Sequence, residues 1–199
     1  MKLTSNIARS AALGCALALA CGCTHLRSVT VRQAALPEGA HLPHHVALVL
    51  NQELADYKHV YHEGGDTFIY AFGPPLQDYA RQVATKSFQQ VEVVPSLESA
   101  AALPAVDLIL IPRPIKSSVS IPVSGLKNEY LTFVVSWTAE ERATRNVVWL
   151  ATITANSEEE KVHVNWHHGG QLYQRLFDDL SQKTYRAFQD APELRRAGP

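Results

Sequence analysis

All three cysteines of the chain lie within its first 23 residues, at Cys15, Cys21 and Cys23, and none follows. Small secreted domains that depend on disulfides distribute their cysteines through the fold. No internal disulfide can form in the rest of this chain, so a domain built from it has to be stabilised by its apolar core. With 199 residues, of which 46% are hydrophobic, the chain is long enough for one domain with one such core.

The first 20 residues are typical of a targeting segment. Lys2 and Arg9 give this segment positive charge without any acidic residue, and an apolar run follows over residues 11–20. A helix needs about 20 apolar residues to cross the ~30 Å hydrocarbon layer of a bilayer, so this run is too short to span one. We therefore predict a signal peptide over residues 1–20, which is removed from the mature chain.

The apolar run ends in Leu19-Ala20-Cys21-Gly22-Cys23, which resembles the lipobox of bacterial lipoprotein signal peptides. In that family a diacylglycerol is attached to the sulfur of a cysteine that follows small residues, and this cysteine becomes the first residue of the mature chain. Two cysteines fit the pattern. We predict that Cys21 is acylated, with Cys23 as the alternative site. An ordinary signal peptide with incidental cysteines is the remaining interpretation.

The resemblance also implies a location. One acyl chain binds a membrane only marginally, whereas the three chains typical of the family hold a domain there almost irreversibly. The family's sorting rule keeps in the inner membrane those lipoproteins that have Asp after the acylated cysteine. This chain has Gly22 at that position or, for the alternative site, Thr24. The resemblance therefore implies an outer-membrane protein that is held by its acyl chains and faces the periplasm.

The charge of the chain is balanced, which bears on its partners. Eighteen Lys and Arg residues stand against 19 Asp and Glu residues, for a formal net charge of -1. Proteins that bind nucleic acid carry an excess of basic residues on the binding surface. The sequence therefore gives no reason to expect a nucleic-acid partner.

Three segments are expected after the signal peptide. Residues 21–43 contain Pro37, Gly39 and Pro43 and are predicted to form the lipidated N-terminus and a tether. Residues 44–190 are predicted to form a single domain. Residues 191–199 contain two prolines and are expected to fray.

Hydrophobic periodicity predicts strands and two helices within the domain. A continuous apolar run such as 45–50 suits a buried strand, and Gly64-Gly65 between two β-forming stretches predicts a hairpin. Apolar residues recur at helical spacing from Gly73-Pro74-Pro75 to about residue 90, and again from Gly169-Gly170 to about residue 190. The predicted strands are 45–50, 57–61, 67–71, 91–94, 106–111, 119–123, 130–138, 146–154 and 161–166.

These elements predict an α+β fold with a single antiparallel or mixed sheet that is covered on one face by two amphipathic helices. The short connections between the later strands require antiparallel pairing. Each helix has one apolar stripe, so both helices can pack on the same side of the sheet. Leu176 and Leu180 lie one turn apart on the second stripe, and both are expected to be buried. Pro112 and Pro114 predict an edge or a bulge where they interrupt a strand.

The mature chain resembles the small envelope lipoproteins of the YajG type. The likeness lies between Gly73 and Gln189, over more than half of the chain. It is carried by a helical segment that begins Leu76-Gln77-Asp78-Tyr79, the strands Val91-Glu92-Val93-Val94 and Val106-Asp107-Leu108-Ile109-Leu110, a meander and a closing helix. The resemblance implies this fold and an envelope location. It implies no catalytic residue, because the group offers none that could be carried over.

Nine histidines are the main candidates for metal binding. His41, His44 and His45 are closely spaced, but adjacent residues of a strand point to opposite faces, so His44 and His45 cannot both join one site. The chain also lacks the G-x-S-x-G and H-E-x-x-H motifs and a phosphate-binding glycine loop. We therefore predict no metal, no cofactor and no enzymatic activity.

Three tryptophans lie on or beside the predicted strands: Trp137, Trp149 and Trp166. Tryptophan is enriched at the centres of protein interfaces, so these residues are a possible interaction surface, with a place in the core as the alternative. We expect a non-enzymatic accessory or assembly factor that binds another envelope protein. The alternative is a small-ligand or lipid-binding module, with a cavity of a few hundred Å³ lined by Phe68, Phe72 and tryptophans.

Overall fold

Two sheets and five helices make up the described part of the chain, which in this computed structural model is residues 23–63, 65–120, 129–159 and 169–196. The fold is α+β, as predicted. The strands are β1 (Thr24–Ser28), β2 (Leu42–Val49), β3 (Lys58–Glu63), β4 (Asp66–Ala71), β5 (Phe88–Val94), β6 (Leu108–Ser120), β7 (Glu129–Glu141) and β8 (Val147–Glu159). The helices are α1 (Gln52–Ala55), α2 (Gly73–Ser87), α3 (Leu97–Ala101), α4 (Gly169–Asp190) and α5 (Pro192–Arg195).

The prediction of a single sheet is wrong, and the position of β2 explains why. The larger sheet has the order β5-β2-β6-β7-β8, in which β2 pairs in parallel with β5 on one side and with β6 on the other. The hairpin of β3 and β4 follows β2 in the chain, but it cannot pair with β2, because both edges of β2 are occupied. It pairs instead with β1, which lies parallel to β4, and forms a smaller sheet of order β1-β4-β3.

Two prolines lie inside β6 without ending it. Pro112 and Pro114 pair in register with Trp137 and Val135 of β7, and the register shifts just after Pro114. On its other side, β6 pairs with β2 only over residues 108–110. Both prolines therefore lie beyond the part of β6 that pairs with β2, so this pairing does not require the backbone N–H groups that proline lacks. The predicted edge and the predicted bulge are both present.

The two long helices pack on the same face of the larger sheet, as predicted. Helix α2 begins at Gly73, which lies very close to the Ala55 carbonyl. A Cβ atom on residue 73 would lie only 1.7 Å from that carbonyl oxygen. On the other helix, Leu176 and Leu180 are buried against the sheet, as expected from their spacing. The main core consists of these two helix faces and the inward side chains of β2, β6, β7 and β8.

A shorter helix covers part of the opposite face, which the sequence did not predict. Helix α3 begins at Ser96, whose hydroxyl accepts a hydrogen bond from the Ser99 N–H at 3.2 Å. It covers a second, smaller apolar cluster at the β5, β2 and β6 side of the sheet. Because α3 is only five residues long, the opposite faces of β7 and β8 have no described helix above them.

The C-terminal residues are docked as far as the structure describes them. Ala191 and Leu194 are buried in the main core, and the Arg195 Nε donates to the Gln189 carbonyl at 2.7 Å. The expectation that the chain frays after residue 190 is therefore wrong for residues 191–196, because Leu194 gains burial there. None of the helices in the described part of the chain combines the length and the apolar character that crossing a bilayer requires.

Candidate functional site

The alternative acylation site, Cys23, lies at the end of the small sheet. Its side chain is exposed and forms no disulfide. Its backbone is held on both sides, because the Cys23 N–H donates to the Asp66 Oδ1 and the Thr67 N–H donates to the Cys23 carbonyl, each at 2.9 Å. Strand β1 begins at the next residue. Any group attached to Cys23 would therefore be fixed to the small sheet with no slack. Cys21 lies outside the described residues.

The small sheet has one face toward the core and one toward solvent. On the inner face, Phe68 and Tyr61 pack against the main core and Tyr70 is buried. His25 stacks on Phe68 with ring centroids 4.9 Å apart. On the outer face, Leu26 of β1 is largely exposed. The clear alternation of a half-buried strand is present in β3.

The segment predicted as a tether is bound to the domain along most of its length. Two glutamines, one from each long helix, hold its backbone. Gln82 of α2 accepts from the Ala34 N–H at 3.1 Å and donates to the Ala34 carbonyl at 2.6 Å. Gln174 of α4 accepts from the Arg32 N–H at 2.7 Å and donates to the Arg32 carbonyl at 3.0 Å. Each side-chain amide replaces a neighbouring strand, so this segment is a strap across α2 and α4.

The three tryptophans do not form one surface. Trp137 is fully buried in the main core, so it cannot contribute to an exposed interface. Trp149 is half-buried and packs against Phe188 of α4, with ring centroids 5.1 Å apart. Trp166 lies outside the described residues. Of the three tryptophans predicted as an interaction surface, only Trp149 is partly exposed in the described part of the chain.

Trp137 is part of a buried chain of hydrogen bonds that joins the sheet to both long helices. The Trp137 Nε1–H donates to the Tyr79 hydroxyl at 2.8 Å, and Tyr79 is 2.5 Å from the Thr184 hydroxyl. Thr184 donates its only hydroxyl proton to the Leu180 carbonyl at 2.8 Å, so the proton between Tyr79 and Thr184 comes from Tyr79. Burial raises the pKa of Tyr79 far above 10. Each donated hydrogen in this series of three hydrogen bonds has one acceptor, so the role of the cluster is structural.

A second pair of tyrosines lies where the small sheet meets α4. Tyr70 of β4 and Tyr173 of α4 are buried with ring centroids 6.2 Å apart. Burial raises the pKa of both phenols, and the nearby Arg27 opposes the shift. Both phenols are therefore neutral at ordinary pH, and their main contribution is to pack the two sheets together.

The histidines are separated by the fold. His44 is buried, whereas His45 is half-buried with its Nε2 2.8 Å from the Glu92 Oε1. The His59 Nδ1 lies 2.9 Å from the Ser117 Oγ, and burial lowers the pKa of His59. Within the described ranges, no three His, Cys, Asp or Glu side chains converge as metal ligands.

The outer face of β7 and β8 has no described helix above it. Its side chains are mainly hydroxyls, with two aliphatic residues, an exposed tyrosine and two other polar residues toward one end: Tyr130, Thr132, Val134, Ser136, Thr138, Leu150, Thr152, Thr154, Asn156 and Glu158. Leu150 is 63% exposed and lies opposite Thr138. The edge of β8 is less open, because the Lys183 ammonium donates to the Thr154 carbonyl and Asp179 accepts from the Asn156 N–H. A partner would therefore meet the face rather than the edge of this strand.

Two clefts along the strap differ from the ligand cavity that the alternative hypothesis expects. One, of about 160 Å³, lies beneath the strap and includes Tyr79 and Gln82. The other, of about 430 Å³, is an open groove between the strap and α4, beside Arg186. Neither is lined by Phe68 or Phe72, and Phe72 is fully buried. A pocket for a small molecule is usually a cleft of about 300–1,000 Å³ that encloses most of its ligand.

Several residues that define these sites were not singled out from the sequence. Asp66 holds the backbone of Cys23, and Gln82 and Gln174 hold the strap. Each is a single polar residue in a local pattern that predicts only a hairpin or the polar side of a helix. Tyr79 lies at helical spacing on the buried side of α2, but this spacing does not reveal that its hydroxyl is hydrogen-bonded.

Comparison with known proteins shows a likeness of fold. No protein-family model matches the sequence, and no curated protein does. A DUF330-family protein from Xanthomonas campestris is 12% identical, with a TM-score of 0.53 over 83% of this chain and 97% of that chain. The PelC dodecamer from Paraburkholderia phytofirmans is 16% identical, with a TM-score of 0.40 over 77% and 98% of the two chains. A minor lipoprotein from Acinetobacter baumannii is 14% identical, with a TM-score of 0.41 over 76% and 94%.

Bacterial lipoproteins are thus among the solved structures that match, whereas nothing in the comparisons tests the YajG-type likeness. At 12% identity, what this chain shares with the Xanthomonas protein is the fold.

Proposed function

We propose that the chain is a lipid-anchored protein of the outer membrane that faces the periplasm and acts without catalysis, as an accessory factor that binds another envelope protein. The observation that carries the anchor is the position of the cysteine pair. The lipobox-like segment ends at Cys23, and the fold begins at Thr24 with the Cys23 backbone already bonded to the small sheet. Cleavage before Cys21 or Cys23 would therefore remove no described strand.

The uncovered face of β7 and β8 supports a protein partner. It is rich in Thr and Ser hydroxyls, with Leu150 exposed near one end. Protein interfaces that form and dissociate have about the same apolar share as ordinary protein surface, with an apolar centre and a polar rim. A face of this composition remains soluble in the free protein and still gives a partner both apolar area and hydrogen-bonding groups.

Acting without catalysis is part of the proposal, and the buried cluster around Trp137 offers no catalytic group. Trp137, Tyr79 and Thr184 bond to one another and to the Leu180 carbonyl, deep in the core. Their donors are committed, so none is available to a substrate.

Acylation is tested by metabolic labelling with palmitate in a Gram-negative host. We expect label on the wild-type chain, no label when Cys21 and Cys23 are both changed to Ser, and loss of that variant from the membrane fraction. The two single variants identify the acylated cysteine. Label that persists in the double variant would contradict the anchor.

Partner binding is tested by crosslinking the acylated protein in cells, purifying it and comparing two matched variants. Leu150→Asp places a charge on the uncovered face, and we expect it to reduce the crosslinked partner. Val93→Asp makes the same kind of change at the opposite edge of the same sheet, about 19 Å away at ~4.8 Å per strand, and should leave the partner bound. Equal recovery of the partner with both variants would exclude this face as the binding surface.

A further inference from the structure

The outer face of the small sheet carries a row of aliphatic side chains that crosses all three strands. Leu26 of β1, Ile69 of β4 and Val60 of β3 lie opposite one another in register. Leu26 is 71% exposed and Val60 is 43% exposed. These three aliphatic side chains adjoin one another, whereas exposed apolar residues on ordinary protein surfaces are scattered singly.

This row lies close to the acylation sites. Leu26 lies in β1, three residues beyond Cys23, which corresponds to about 10 Å at ~3.3 Å per residue of extended chain. If Cys21 is acylated instead, the two intervening steps add at most about 7 Å. Because the Cys23 backbone is bonded to Asp66 and Thr67, the sheet cannot move far from the anchor.

The charges of the small sheet favour contact through its face rather than through its turn. Nine positions alternate onto the outer face, and none of them is acidic, whereas Lys58 is basic: Thr24, Leu26, Ser28, Lys58, Val60, His62, Thr67, Ile69 and Ala71. At the turn, by contrast, the carboxylate of Asp66 is 42% exposed. Anionic headgroups attract Lys near the surface and repel a carboxylate.

We propose that the outer face of the small sheet, with the row of Leu26, Ile69 and Val60, lies on the phospholipid surface of the membrane that holds the anchor. The inference rests on the proposed acylation. It adds to the anchor a fixed orientation, in which the small sheet faces lipid. The uncovered face of β7 and β8 belongs to a different sheet and stays available to a protein partner.

The test is photocrosslinking of the full chain in cells whose phospholipids carry ³²P. The photoreactive residue p-benzoylphenylalanine is placed at position 26, at position 60 or, as a matched exposed control, at position 150. We expect irradiation to transfer ³²P to the protein from positions 26 and 60, and to give only background from position 150. Palmitate labelling of the same samples reports the anchor separately, and protease resistance reports folding.

Each outcome decides between orientations. Acylated, folded protein without ³²P transfer from positions 26 and 60 would overturn the proposed orientation and leave the anchor standing. Crosslinks from these positions to another protein would likewise overturn it, because a protein would then occupy the face. Equal transfer from all three positions would show an anchored domain with no preferred face. If palmitate labelling itself fails, the proposed anchor falls and the orientation falls with it.

Discussion

We predict that changing Tyr79 to Phe destabilises the domain, because the change leaves one buried hydrogen-bond donor without an acceptor. The Tyr79 hydroxyl accepts from the Trp137 Nε1–H at 2.8 Å and donates to Thr184. All three residues are buried. In the Phe variant the ring still fills its site, but the Trp137 N–H has no acceptor and cannot reach water. The change therefore isolates the polar bond from the packing of the ring.

The expected loss follows from these contacts. A buried donor left without a partner costs about 1–3 kcal/mol. Thr184 keeps its bond to the Leu180 carbonyl and loses only the proton that Tyr79 donated, which adds about 1 kcal/mol. The total is about 2–4 kcal/mol, a large part of the roughly 5–15 kcal/mol that stabilises a domain. When Trp137→Phe has already removed the donor, Tyr79→Phe should cost only about 1 kcal/mol.

Urea unfolding of the mature domain, followed by far-ultraviolet circular dichroism, measures these quantities in a double-mutant cycle. Tyr57→Phe is the matched control, because it removes a phenol hydroxyl from a half-buried site beside Ser117 and should cost less than about 1 kcal/mol. If Tyr79→Phe costs no more than Tyr57→Phe, or if Tyr79→Phe and Trp137→Phe are strictly additive, the bonded chain does not stabilise the core as argued.

Two further predictions concern the core. Each Leu→Ala change at a buried site costs about 2–5 kcal/mol, so changing both Leu176 and Leu180 should nearly unfold the domain, whereas Gln182→Ala on the exposed side of α4 should leave the urea midpoint unchanged. A double variant as stable as the wild type would mean that α4 does not hold the fold. The second concerns alkaline pH: burial raises the pKa of Tyr79, so the folded state keeps a proton that the unfolded state loses above pH 10. Stability should therefore fall as pH rises beyond 10, and the fall should be less steep in Tyr79→Phe, by up to about 1.4 kcal/mol per pH unit.

Local sequence patterns predicted the elements that depend on neighbouring residues. The apolar run at 45–50, the hairpin around Gly65 and the two helical stripes are all present, because each reflects side chains that repeat within a few residues. The burial of Leu176 and Leu180 follows from the same periodicity. The cysteine distribution likewise comes from the sequence alone, and so does the hypothesis of a lipid anchor.

The candidate site was predicted less completely. The sequence identified the cysteine pair and the tryptophans, but it could not show that Trp137 points inward to bond Tyr79. It also left residues 21–43 as a tether, although Gln82 and Gln174 bind that segment. The residues around a strand tryptophan have the same alternation whether its face of the sheet is covered or exposed. Likewise, the sequence around a glutamine in a helix does not show which backbone groups its side chain will bond.

What only the tertiary structure decided is which strands share a sheet. The sequence predicted the β3–β4 hairpin, but whether it joined the main sheet depended on β2, whose two edges are taken by β5 and β6. The hairpin was thereby left to pair with β1, and this pairing fixes Cys23 to the small sheet. Backbone N–H and C=O groups are alike at every position, so the choice of partner is made by long-range packing and by which edges are already occupied.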